Sequence, residues 1–189
     1  MRSPNQFIVR PINGERYKAS TELGGKNFIT STSEEDHSAS NRLAEVVSLP
    51  LDHNGNIKVG DTLLVHHNVF KFYNDMRGQR RSGKSFFKDD LFFVDTEQFF
   101  MWHDGEKWNA YDRHCFIEPI DKTESYLYKP FLKEPLIGIM RYPSRALEML
   151  GIQKGALVSF TPDSEYEFDV DGVKMYRIHD HQITMTHEK

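Results

Sequence analysis

Ile57-Lys58-Val59-Gly60-Asp61-Thr62-Leu63-Leu64-Val65 is the stretch on which the reading of this chain turns. Lys58-Val59-Gly60-Asp61 reverses the chain. The apolar run that follows is too short for a buried helix and bounded by a turn, so it reads as a strand. Working outward, the same grammar recurs. Upstream, Phe7-Ile8-Val9 precedes Pro11 and Gly14, and residues 43–49 form the next apolar run. Asn54-Gly55 is a strong hairpin dipeptide. Downstream, Val69-Phe70-Lys71-Phe72-Tyr73 alternates as a half-buried strand does. Leu91-Phe92-Phe93-Val94 and Gln98-Phe99-Phe100-Met101-Trp102 follow, with a turn at Asp104-Gly105. Cys115-Phe116-Ile117 reads as the strand that closes this first unit before Pro119. Many short strands spaced by turns predict an all-β sandwich or small barrel.

The remainder reads as a shorter second unit. Strands are predicted at residues 136–140, 157–160, 166–170, 175–178 and 183–185, with a hairpin turn at Asp171-Gly172. The one helical segment predicted is residues 144–150, capped by Ser144 and stopped by Gly151. A repeat shows through: Ile57-Lys58-Val59-Gly60 before a strand is echoed by Ile152-Gln153-Lys154-Gly155 before another. Met101-Trp102 and Met175-Tyr176 read as a second echo, and Asp112 and Asp180 as leaders of two closing strands.

Composition bounds the rest. Fourteen Phe, eight Tyr and two Trp supply apolar area for a core, so disorder is not the default. No run approaches the ~20 apolar residues that span a bilayer. A single cysteine, Cys115, cannot form an internal disulfide, which points to a reducing cytoplasm. The formal net charge of -4 argues against nucleic acid as the main partner.

Two segments depart from this background. Residues 18–41 are polar, with Phe28-Ile29 the one adjacent pair of bulky apolar residues, and read as a long loop of the functional kind. Arg77, Arg80, Arg81 and Lys84 crowd the insertion at residues 75–90. There Gly78-Gln79-Arg80-Arg81-Ser82-Gly83-Lys84-Ser85 spells the phosphate-cradling G-x-x-x-x-G-K-[ST] pattern. That pattern works only where it opens a helix, and Phe86-Phe87-Lys88-Asp89-Asp90 shows no helical cap or period. The segment therefore reads as an exposed basic hairpin tip. His66-His67, as strand neighbours, are predicted to face opposite ways and hold no metal; His179 and His181 share a face without a third ligand. Cys115 reads as a small buried thiol. No catalytic constellation, cofactor motif or metal set stands out, so the chain is expected not to be an enzyme.

In order, Val9-Arg10-Pro11, the loop with Gly24-Gly25, Ala44-Glu45-Val46-Val47, the stretch from Ile57 to Val65, and Phe116-Ile117 resemble the GroES co-chaperonin family over roughly residues 6–120, with a fainter version over 136–185. The resemblance implies two tandem small GroES-like β-barrels, residues 1–121 and 122–189, the first carrying a mobile loop. It implies a homo-heptameric dome that caps a GroEL-like chaperonin ring around an unfolded protein substrate. Gly24, Gly25, Lys26, Asn27, Phe28 and Ile29 match the loop's chaperonin contact. Phe7, Ile8, Val9, Phe116 and Ile117 match the strands that join subunits. Lys26-Asn27 between the glycines and the apolar pair, the basic insertion and the second unit depart from the family's pattern and suggest a divergent, viral member working in a host cytoplasm. The alternative is a non-catalytic β-barrel module for nucleic acid or particle assembly that uses Arg77, Arg80, Arg81 and Lys84.

Overall fold

The computed structural model describes residues 1–17, 40–120 and 136–187, and the backbone alone of 20–23 and 26–29. The chain is all-β and divides into two compact units, Met1–Trp108 and Asn109–Lys189. No helix among the described residues is long and apolar enough to cross a membrane.

The strands up to the boundary are β1 (Phe7–Pro11), β2 (Ser20–Leu23), β3 (Lys26–Ile29), β4 (Leu43–Ser48), β5 (Thr62–Val65), β6 (Phe72–Asn74), β7 (Arg80–Ser82), β8 (Phe86–Lys88), β9 (Leu91–Val94) and β10 (Phe99–His103), with β11 (Trp108–Ala110) running across it. Seven make one antiparallel sheet in the order β11-β10-β5-β4-β1-β9-β8, while β2-β3 and β6-β7 are separate two-stranded ribbons. Alternation selects the core face: Ala44 and Val46 in β4, and Phe92 and Val94 in β9, are buried while their neighbours are not. Phe7, Val9, Leu63, Val65, Phe99 and Met101 are buried with them.

The second unit holds β12 (His114–Pro119), β13 (Leu136–Tyr142), a short helix α1 (Arg145–Met149), β14 (Leu157–Phe160), β15 (Tyr166–Val170), β16 (Val173–His179) and β17 (Ile183–His187). Its sheet runs β15-β16-β12-β13-β14-β17. Cys115, Ile117, Met140, Leu147, Val158, Phe160 and Ile178 form its core. The expected helix is present: Ser144 Oγ accepts from Leu147 N at 3.3 Å, and Gly151 ends it at φ +86°. Asp171 and Gly172 both take positive φ, the demand of a two-residue hairpin.

The two sheets are the same structure twice. Six strands of the first, β10-β5-β4-β1-β9-β8, correspond in order to β17-β14-β13-β12-β16-β15 of the second. The register agrees residue by residue. In β1 against β4, Ile8 faces Ser48, a bulge follows, and Val9, Arg10 and Pro11 face Val46, Glu45 and Ala44. In β12 against β13, Phe116 faces Tyr142, the bulge recurs, and Ile117, Glu118 and Pro119 face Met140, Ile139 and Gly138. Val9 and Ile117 then face Phe92 and Tyr176 on the other side. The signature turns match as well. Gly60 N donates to Val46 O and Gly155 N to Met140 O, each at 2.8 Å, with φ of +94° and +89°. Asp95 N donates to Gln98 Oε1 at 3.2 Å, as His179 N does to Gln182 Oε1 at 3.0 Å.

Several expectations are corrected by this duplication. Cys115-Phe116-Ile117 does not close the first unit; it lies in β12, the counterpart of β1, so the division falls between Trp108 and Asn109 and not at residue 121. Met101 corresponds to Met185, which face Leu64 and Ser159 in matching registers, and not to Met175. Asp180 corresponds to Thr96 and not to Asp112, because Gln98 and Gln182 hold the same place. Nor are Phe7, Ile8, Val9, Phe116 and Ile117 at open edges. β1 sits between β4 and β9, β12 sits between β13 and β16, and all five side chains are buried, so none is exposed to join a subunit. Val69 and Phe70 are buried in a turn and not in a strand, and Asn54-Gly55 lies in an irregular connection.

Candidate functional site

Two ribbons decorate the first sheet without counterparts among the described residues of the second. The first lies in the β1–β4 connection. Where the sequence read as a loop, the backbone pairs Ser20 with Ile29, Thr21 with Phe28, Glu22 with Asn27 and Leu23 with Lys26. Thr, Phe and Ile favour an extended backbone. Gly24 and Gly25, between the strands in sequence, lie outside the described residues, as do 18–19 and 30–39. Lys26, Asn27, Phe28 and Ile29 are thus placed on β3 by their backbone. The base of the connection is clamped: Tyr17 pairs with Ser40, Asn41 N donates to Arg16 O at 3.0 Å, and the buried Asn41 amide donates to Ile12 O and Glu15 O at 3.1 and 2.7 Å.

The second ribbon, β6–β7, is the basic insertion. Phe72 faces Ser82, Tyr73 faces Arg81 and Asn74 faces Arg80; Asp75 N extends the ladder to Gln79 O and Gly83 N to Lys71 O, both at 2.9 Å. The phosphate-loop pattern therefore folds as a hairpin turn and a strand, and the element after it is β8. One face of the ribbon is anchored. The Arg16 guanidinium lies over three rings, 4.1 Å from Phe72, 4.6 Å from Phe92 and 5.3 Å from Phe86, and donates to Ser82 Oγ at 3.0 Å. Burial first, and then the neighbouring Arg80, hold its pKa below the usual arginine value. Arg80 covers Phe72 at 3.8 Å, and Phe72 N donates to the Tyr17 hydroxyl at 2.9 Å.

Its other face looks outward. Tyr73 and Met76 are exposed large apolar side chains there, with Arg77, Arg81 and Lys84 exposed beside them, while Arg80, the strand neighbour of Arg81, is exposed on the anchored side over Phe72. Asp75 organises the tip. It accepts from the backbone of Arg77 and Gln79, both at 2.9 Å, and from Arg81 Nε at 3.2 Å; the bond from Gln79 is the chief reason its pKa lies below the carboxylate norm.

The second unit gathers charged and titratable groups around the turn after β16. Arg113 grips the buried Asp180 carboxylate at 2.9–3.0 Å, which raises the arginine pKa. His114 lies 4.7 Å from His179, which stacks on His181 at 5.4 Å. Burial, then Arg177 and His179, depress His114 to about 4. Arg177 donates to His179 Nε2 at 3.3 Å, so that nitrogen carries no proton; burial and Arg177 lower the pKa of His179 as well. Cys115 is fully buried, donates to Ile178 O at 3.4 Å, and is pushed up to about 12 by burial, which suits a core thiol and not a nucleophile. The His66 and His67 rings, expected to point apart, lie 4.2 Å from each other. They follow the last residue of β5, where strand alternation no longer applies. Among the described residues no three His, Cys, Asp or Glu side chains are arranged to hold a metal.

No family model matches this chain, and no curated protein matches it.

Proposed function

We propose that this protein is a co-chaperonin: a non-catalytic lid that caps a GroEL-like chaperonin ring in the cytoplasm and assists ATP-dependent folding of an enclosed protein. One observation carries the reading. A six-stranded unit with a bulged apolar-charged-Pro first strand and a glycine turn before its third strand occurs twice in register. Its first copy carries a ribbon on a clamped base in the connection after the first strand. On this reading each unit is a small barrel, and the ribbon carries the Phe28-Ile29 segment to the chaperonin. A two-residue apolar anchor binds weakly by itself, and a ring of seven such ribbons gains strength by avidity. With β1 and β12 paired on both sides, the strands at the sheet ends, β8, β11, β15 and β17, are left to join subunits.

Size-exclusion co-elution with a purified chaperonin ring, with ATP, with ADP and without nucleotide, tests this. The expected result is nucleotide-dependent co-elution that is lost when Phe28 and Ile29 are both changed to Ser, with the oligomer intact. An oligomer that ignores the ring under every nucleotide condition overturns it.

A further inference from the structure

The β6–β7 ribbon is larger than its anchoring requires. Phe72 and Ser82 dock it onto the sheet through Arg16. The side chains of Tyr73, Met76, Arg77, Arg81 and Lys84 take no part in that docking and stand exposed. The segment from Lys71 to Lys84 holds five cations, Lys71, Arg77, Arg80, Arg81 and Lys84, against one acid, Asp75. So strong a local excess in a chain of net charge -4 is a built feature of this ribbon.

We infer that the outward face of the β6–β7 ribbon is a docking surface for single-stranded nucleic acid. Three features select that partner over an acidic peptide. First, the cations are strung out: five ladder rungs separate the tip from the base, roughly 13 Å at the ~3.3 Å rise of a strand, so they match a line of phosphates better than one carboxylate pocket. Second, Tyr73 lies directly opposite Arg81 and is 54% exposed, a ring open to solvent beside a cation, which is the pairing that holds a base and its phosphate together. Third, Asp75 and Gln79 fix the Arg81 guanidinium, with Gln79 Oε1 accepting from Nη2 at 2.9 Å, so less side-chain freedom is lost on binding. Backbone contact plus stacking carries no base-edge readout, so the surface is indifferent to sequence. This inference does not rest on the chaperonin reading and survives its failure.

Fluorescence anisotropy of a labelled 20-nucleotide oligo-dT with the full-length protein tests it. Three phosphate contacts give a logarithmic salt slope of about -2, so affinity should fall about twenty-fold between 50 and 200 mM salt. The double substitution Arg77→Gln and Lys84→Gln should flatten the slope by about 1.4. Tyr73→Ala should weaken binding about ten-fold, and Tyr73→Phe should leave it intact, because stacking needs the ring alone. All three positions are exposed, and a matching thermal transition verifies that each variant is folded. No binding at 50 mM salt overturns the inference. So does a polyglutamate peptide that competes equally well while Tyr73→Ala changes nothing, which would assign the face to an acidic protein.

Discussion

Gly138→Ala is the sharpest test of the second sheet. Gly138 lies in β13 opposite Pro119, and its backbone approaches β12 so closely that an added Cβ would stand 2.3 Å from Ile117 Cγ2 and 2.7 Å from Glu118 O. The obstacles are a β-branched methyl and a main-chain carbonyl in a strand paired on both sides, neither of which can rotate aside. Overpacking of this kind costs about 1–3 kcal/mol, and loss of glycine's freedom in the unfolded chain returns about 0.4–1 kcal/mol. A net loss of about 1.3 kcal/mol follows, which in a unit of this size lowers its melting temperature by about 5–10 °C. The matched position in the first unit is Ala44, which is accommodated in its core. Both tryptophans, Trp102 and Trp108, belong to the first unit. Their emission should therefore report an unchanged transition while far-UV circular dichroism records the earlier loss of the second sheet. Adding Ile117→Leu, which moves the branch off Cβ, should recover part of the loss. A Gly138→Ala protein whose dichroism transition stays within about 3 °C of the parent would refute the close approach and the register built on it.

Gly60→Ala and Gly155→Ala should behave alike. Both residues have positive φ and nothing within 4 Å of an added Cβ, so the penalty is purely conformational, about 1–2 kcal/mol each by denaturant titration. One substitution tolerated and the other severe would mean the two turns are not equivalent. Stability should also depend on His114. Its pKa falls from 6.5 to about 4 on folding, so the unfolded chain binds the extra proton between those values. The contribution is complete above pH 6.5 and lost as the pH falls toward 4, on the order of 2 kcal/mol after solvent screening. His114→Gln should flatten the pH dependence of the urea midpoint across that window, and an unaltered profile would place the proton uptake elsewhere.

The all-β class, the helix after Ser144 and the turn at Asp171-Gly172 were legible because each has a local cause: strand period, a capping hydroxyl, a pair of residues that tolerate positive φ. The phase of the duplication was not read from its most visible echo. Val9-Arg10-Pro11 and Ile117-Glu118-Pro119 share an apolar-charged-Pro triplet that would have marked β12 as a beginning. Read alone, an apolar run stopped by proline looks like an ending. The β2–β3 ribbon was obscured by its polar surroundings, although Gly24-Gly25 between β-forming residues is a hairpin signal. In the basic insertion the cations were visible from sequence. Arg16, which fixes the ribbon from more than fifty residues away, was not, since no local pattern announces a guanidinium among Phe72, Phe86 and Phe92.

A chain that carries one sheet twice risks exchanging strands between its copies as it folds. The polarity of two ion pairs guards against this. In the first copy the cation is on the leading strand, Arg10 to Glu45 at 2.9 Å; in the second it is on the following strand, Arg141 to Glu118. An exchange would set Glu118 opposite Glu45 and bring Arg10 diagonal to Arg141, so both hybrids would meet like charges where the correct pairings meet opposite ones. Each half of the molecule thus carries a mark that distinguishes self from near-copy, written in the sign of a single surface charge.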